Sequence, residues 1–174
     1  MNNLILFTDG SVDTKTKIGF GAYLALESLE IPAADLIAKV KTEKVKTKQF
    51  DNTSSTLLEI QTLLWAIEDR IFPDKETTIK LIIYTDSQNI VGLLTRRKKL
   101  EQRDYYANSG KRLNNADIYQ QFYKVVDRYD CHFIKVDGHK PLHEKNDIDK
   151  LFTLVDKASR QALRNFRCVN VLST

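Results

Sequence analysis

Two short runs, Thr8-Asp9-Gly10-Ser11 and Thr85-Asp86-Ser87-Gln88, each set an aspartate directly behind an apolar stretch. In open α/β sheets, ligand sites gather at strand ends near a change in strand order. Aspartate also ends strands for local reasons, because its carboxylate favours turns, but a repeated pattern weighs against that for the pair. A third carboxylate, Glu59, falls near the apolar side of a helical pattern, in line with Leu63 and Ala66, whereas Gln61 and Glu68 fall on the polar side. A carboxylate turned towards a sheet is costly unless it is paired or metal-bound. The alternative is a partly exposed edge position with a Lys or Arg partner. Three converging carboxylates would repel one another, and a divalent cation resolves that repulsion. Hard oxygen ligands of this kind suit Mg²⁺ or Mn²⁺ rather than zinc. His139 and His143 are four apart, but no further His or Cys is arranged to complete a zinc site.

The elements that must position these groups follow from periodicity. Leu4–Thr8 reads as a strand ending at Asp9, and a polar turn, Val12–Lys17, leads to a second strand near Ile18–Leu26. So short a connection favours an antiparallel hairpin. A short helix is expected within Ile31–Val40 and a third strand within Lys39–Phe50. Ser54-Ser55-Thr56 can cap a helix carrying the stripe Ile60, Leu63, Leu64 and Ile67, broken by Pro73-Asp74. Then come a buried-type strand at Thr78–Tyr84, a short helix at Ile90–Leu94 and a basic stretch, Arg96–Arg112. A helix at Asn115–Tyr129, a strand at Cys131–Val136, a polar loop at Asp137–Asn146 and a long helix at Asp147–Arg167 complete the chain. The order β-β-β-α-β-α-α-β-α predicts an α/β fold: a mixed five-stranded sheet, antiparallel in its first three strands and parallel thereafter, with helices on both faces.

With 174 residues, no repeat and no Pro/Gly-rich linker, a single domain over 1–174 is expected. The longest apolar runs are far too short to cross a bilayer, and no signal peptide is expected at the N-terminus. Cys131 and Cys168 make no metal-type spacing and are expected as free thiols in a reducing, cytoplasmic setting. The net charge of +4 is poor evidence of a nucleic-acid partner by itself; the clustering of the charge is better evidence.

Taken in order, five segments together with the C-terminal Asp, Ala and Arg residues resemble the type 1 ribonuclease H family over essentially the whole chain. The segments are Phe7-Thr8-Asp9-Gly10-Ser11, Ser55-Thr56-Leu57-Leu58-Glu59, Tyr84-Thr85-Asp86-Ser87, Asn115-Ala116-Asp117-Ile118-Tyr119 and Gly138-His139. The resemblance implies the ribonuclease H-like fold and hydrolysis of the RNA strand of RNA–DNA hybrids to 5′-phosphate and 3′-hydroxyl products. It makes Asp9, Glu59 and Asp86 metal ligands, with Asp9 bridging two Mg²⁺ (or Mn²⁺) ions. The fourth carboxylate is open between two residues. Asp149 follows Asn146 and lies ten residues after His139; Asp156 better matches the local Asp-x-x-Ala-Arg-x-Ala pattern and is slightly favoured. His139 matches a loop histidine implicated in proton transfer or product release. In a two-metal site one ion activates water and the other stabilises the leaving 3′ oxygen.

The RNA 2′-OH must be felt beside the metals, by groups such as Gly10, Ser11 or Glu59. Ser55 and Thr56 stand where the family touches the hybrid minor groove, and Asn115 joins the expected nucleic-acid contacts. Arg96, Arg97, Lys98 and Lys99, with Tyr105 and Tyr106 nearby, match a basic handle that would hold backbone phosphates; a solvated helix surface is the alternative. Lysines between 39 and 48 read as a protected strand edge. Two departures stand out: the turn Val12–Lys17 has no glycine, the next being Gly19 and Gly21, and Asp9 to Glu59 is a long spacing. A monomer is expected. The competing readings are a catalytically silent nucleic-acid-binding module on the same fold and a related nuclease acting on another nucleic acid.

Overall fold

The computed structural model describes residues 2–29, 45–71, 79–137 and 140–171. Its five strands are β1 (Asn2–Asp13), β2 (Ile18–Leu26), β3 (Lys46–Phe50), β4 (Ile79–Thr85) and β5 (Asp130–Lys135). Among the described residues the α-helices are α1 (Ser55–Arg70), α2 (Gln88–Gln102), α3 (Ala116–Arg128) and α4 (Asp147–Val171). The sheet runs β3-β2-β1-β4-β5. β1–β2 and β2–β3 are antiparallel, and β1–β4 and β4–β5 are parallel, as the element order predicts. The helix expected within Ile31–Val40 and the Pro73-Asp74 break lie outside the described residues. Among the described residues no helix is long and apolar enough to cross a membrane.

β1 is apolar on both faces because both faces are covered. Leu4 and Leu6 enter a core with Ile60, Leu63 and Ile67 of α1, Ile90 and Leu93 of α2 and Phe122 of α3. Ile5 and Phe7 point the other way, into a core with Leu151, Phe152 and Val155 of α4. The period-two alternation of a strand fixes what comes next: odd-numbered residues of β1 face α4 and even-numbered ones face α1.

Three boundaries differ from the sequence reading. β1 does not stop at Asp9; β2 pairs with it as far as Asp13, so Asp9 lies within the strand opposite Ala22. α2 is longer than expected and runs into the basic stretch as far as Gln102, where Arg97 pairs with Glu101 one turn on. The described part of the polar loop before α4 contains a 3₁₀ turn, Leu142–Glu144.

The glycines of the hairpin set the distance between α1 and the sheet. A Cβ at Gly10 would lie 2.8 Å from Leu58, at Gly19 2.7 Å from Leu58, and at Gly21 2.1 Å from Thr62 Oγ1. Leu58 and Thr62 are one turn apart on α1, so this strip of bare backbone is where the helix seats. Glu59 is carried in beside Leu58. The hairpin closes without glycine: Lys17 takes the left-handed conformation itself, with φ 57°, and Asp13 Oδ1 accepts from the N–H groups of Lys15 and Thr16.

Candidate active site

The parallel pairing of β1 with β4 runs to Phe7 opposite Tyr84. β4 ends at Thr85 while β1 continues to Asp13. Asp86 therefore leaves the sheet beside Asp9, at the point where β1 loses its parallel neighbour. The aspartates meet because of this register. α4 closes over the same spot from the face to which Asp9 points.

Asp9 is the electrostatic centre. Burial pushes its carboxyl from the ordinary 3.8 up to about 7. The Ser159 hydroxyl pulls it back down, the negative charges of Asp86 and Asp156 raise it further, and the Gly10 N–H lowers it. Ser159 Oγ donates to Asp9 Oδ2 at 2.7 Å and lies 3.1 Å from Ser11 Oγ. Glu59 joins by another route. Its Oε2 accepts from Ser87 Oγ at 2.5 Å and from Asn89 Nδ2 at 3.4 Å, which ties α1 to the residues just after Asp86. Ser87 also caps α2, its hydroxyl accepting from the Ile90 N–H at 3.1 Å.

The two candidates for the fourth carboxylate occupy different surroundings. Asp156 acts on Asp9 by its charge and is paired one turn on with Arg160 at 2.6 Å. Asp149 is buried at the start of α4, where it and Asn146 cap the helix reciprocally. The Asp149 N–H donates to Asn146 Oδ1 (2.9 Å) and the Asn146 N–H to Asp149 Oδ2 (3.1 Å). Lys140 Nζ completes its surroundings at 3.1 Å. Two turns of helix separate the pair in sequence, and the earlier one is used to begin the helix. His139 lies outside the described residues.

Among the described residues no three carboxylate, histidine or cysteine groups form a ready metal cage; Glu59 is held by Ser87 and Asn89, and Asp156 by Arg160. The donor set is nonetheless all oxygen, and Asp9 is buried among like charges. That combination fits a hard divalent cation, which would offset the repulsion and favour the ionised form of Asp9.

The expected nucleic-acid contacts divide in the same way. Gly10 packs its Cα against Leu58, and Ser11 faces Ser159, so both are turned towards helices. Ser54, not Ser55 or Thr56, caps α1. Ser55 is exposed, and Thr56 Oγ1 accepts from Asn89. Asn115 precedes α3 without capping it and lines an open groove with Gln61 and Trp65. In the basic stretch, Arg97 is committed to Asp127 (2.5 and 2.7 Å) and to the Tyr123 ring. Arg96 bonds the Gly92 carbonyl. Lys98 and Lys99 are exposed. Tyr105 is buried in the core, and Tyr106 is exposed.

Sequence reasoning passed over Ser87, Asn89 and Ser159. Ser87 was findable as an N-cap ahead of the apolar Ile90. Ser159 has no local signal, because its partner Asp9 is 150 positions away.

The ribonuclease H family model matches residues 1–162. Among solved structures the chain is similar to LC9-RNase H1, described as a type 1 RNase H with the type 2 active-site motif. That match has a TM-score of 0.66 at 16% identity and covers 92% of this chain and 72% of that one. The chain is also similar to the PFV RNase H domain in its solution structure, with a TM-score of 0.66 at 14% identity, covering 91% and 92%. At such identities the structural likeness speaks for the fold. A search of curated proteins finds no match.

Proposed function

Because this chain belongs to the ribonuclease H family, and is a hydrolase of that class, we propose that it cuts the RNA strand of RNA–DNA hybrids at a two-metal centre. The products on this reading are 5′-phosphate and 3′-hydroxyl ends. The family generally uses divalent metal ions; the centre proposed for this chain is built on Asp9, Glu59, Asp86 and Asp156. The observation that carries the reading is the burial of Asp9 within range of the charges of Asp86 and Asp156. Structural carboxylates are normally paired with cations, as Asp149 is with Lys140.

Bound there, Mg²⁺ or Mn²⁺ supplies Lewis-acid activation of water and neutralises charge on the scissile phosphate. Asp9, inside β1, provides the most rigid ligand position. Ser87 and Asn89 hold Glu59 by one oxygen, which fixes its side chain while leaving the other oxygen for a cation, a water or the ribose 2′-OH. Asp156 would hold the cation in place of its Arg160 partner. Lys98 and Lys99 give the phosphate grip on this reading, with Asn115 and Ser55 nearer the centre. His139 retains its expected part in proton transfer or product release.

The test is cleavage of matched labelled RNA–DNA, RNA–RNA and DNA–DNA duplexes with Mg²⁺ and with EDTA, for the native chain and Asp9→Asn. Hybrid-only cleavage that needs Mg²⁺ and vanishes in Asp9→Asn is expected. Preference for another duplex would overturn the substrate, and an unchanged rate in Asp9→Asn would overturn the mechanism.

A further inference from the structure

Ser159 lies three residues after Asp156 on α4 and is 0% exposed. Its hydroxyl meets three oxygens: Asp9 Oδ2 at 2.7 Å, the Asp156 carbonyl at 3.0 Å and Ser11 Oγ at 3.1 Å. A serine has one proton to donate and two lone pairs to accept with. A hydrogen bond to an ionised acceptor is roughly twice as strong as a neutral one. The proton therefore goes to Asp9 rather than back along the helix to Asp156. Ser11, two residues from Asp9 on the same face of β1, then donates its own proton to Ser159. The result is a directed chain, Ser11 to Ser159 to Asp9, running from the half-exposed hairpin to the buried carboxylate.

A serine buried only for its size would be replaced by alanine without loss. Here the hydroxyl is the side-chain donor to Asp9 Oδ2 from the helix that covers it. Among the described residues no buried side-chain N or O lacks a partner, so losing this donor would leave a gap in an otherwise complete network. We propose that Ser159, supported by Ser11, is a positioning residue that fixes the Asp9 carboxylate by its Oδ2 for divalent-cation binding. Groups that orient a metal ligand in this way are worth about 10- to 100-fold in affinity or activity. The inference rests on the metal reading of the centre.

The experiment titrates Mn²⁺ into the full chain by calorimetry without nucleic acid, and separately measures kcat and KM on a hybrid. Native chain is compared with Ser159→Ala, Ser11→Ala, the double variant and Asp9→Asn. Ser159→Ala is expected to weaken Mn²⁺ binding about tenfold and to lower kcat with KM for hybrid unchanged. Ser11→Ala is expected to weaken Mn²⁺ binding about two- to threefold and to add nothing to Ser159→Ala, since it acts through that residue. Native Mn²⁺ affinity in Ser159→Ala overturns the proposal. So does a Ser11→Ala variant that raises KM for hybrid with Mn²⁺ affinity intact, which would place Ser11 on RNA. If Ser159→Ala fails to fold, Ser11→Ala carries the test from its half-exposed position. If Asp9→Asn also binds Mn²⁺ normally, the metal reading itself has failed; if Asp9→Asn loses binding and Ser159→Ala keeps it, only the positioning role has.

Discussion

Ser87 donates to Glu59 Oε2 at 2.5 Å while its oxygen accepts from the Ile90 N–H, so one hydroxyl both starts α2 and holds a carboxylate of α1. Ser87→Ala should remove both interactions. Loss of the cap costs about 1 kcal/mol, and the unrestrained Glu59 should lower kcat roughly tenfold with little change in KM. Urea melts and steady-state kinetics read the two effects separately. Ser87→Asp, which keeps a cap but brings a negative charge to Glu59, should recover the stability more than the rate.

Asp149 and Asp156 should separate cleanly. Asp156→Asn should reduce hybrid cleavage by about two orders of magnitude or more, with a stability change within about 1 kcal/mol. Asp149→Ala should destabilise by about 1–3 kcal/mol, because it removes the acceptor of the Asn146 N–H and the close, buried partner of Lys140. Its rate per folded molecule should stay within a few-fold of native. The reverse pattern in paired assays of rate and urea midpoint would make Asp149 the ligand.

Metal-free protein should lose stability as pH rises. Below about pH 4 Asp9 is protonated both folded and unfolded. Between there and about 7 only the unfolded chain gives up the proton, so the folded state loses ground, levelling off above the folded value. The full effect is on the order of 4 kcal/mol. In EDTA, the stability difference between native chain and Asp9→Asn should grow in favour of the variant from pH 4 to pH 8. Adding Mg²⁺ at pH 8 should shrink it. A difference that does not vary with pH would mean that Asp9 titrates normally.

Gly21→Ala should be the most damaging of the hairpin glycine changes. Its new Cβ would fall 2.1 Å from Thr62 Oγ1 and 3.0 Å from Thr62 Cβ, close to the helix backbone. Moving α1 outward should cost about 1–3 kcal/mol and carry Glu59 away, lowering kcat as well. Gly92→Ala in α2 is the control: its nearest neighbour is the far end of Arg96 at 3.5 Å. Replacing a helical glycine there should stabilise by up to about 1 kcal/mol. Circular dichroism melts of both variants check the ordering.

The order of elements along the chain and the strand directions were legible because apolar runs, turn residues and helical stripes each repeat at their own period. The carboxylates of β1, α1 and β4 were legible for the same reason: they interrupt patterns that are otherwise apolar. What the patterns could not supply was register. Nothing in Leu4–Thr8 says that β2 stays paired past Asp9, nor that the charge of Asp156 rather than Asp149 reaches it. Asn146 and Asp149 have the spacing of a capping box, a structural role for Asp149 that the sequence reading did not draw and the reciprocal bonds reveal. The basic stretch shows the opposite limit. Composition counts Arg97 with Lys98 and Lys99, yet only packing reveals that Asp127 and Tyr123 have already claimed it.

The contact between Ser159 and Asp9 spans 150 positions of sequence. Asp9 therefore precedes Asp156 and Ser159 along the chain by nearly 150 positions, and the two ends of this contact meet only when α4 packs on β1. Until α4 packs on the sheet, β1 carries Asp9 without the Ser159 hydroxyl or the neighbouring charge of Asp156. A variant cut short before α4 would carry Asp9 without Asp156 or Ser159.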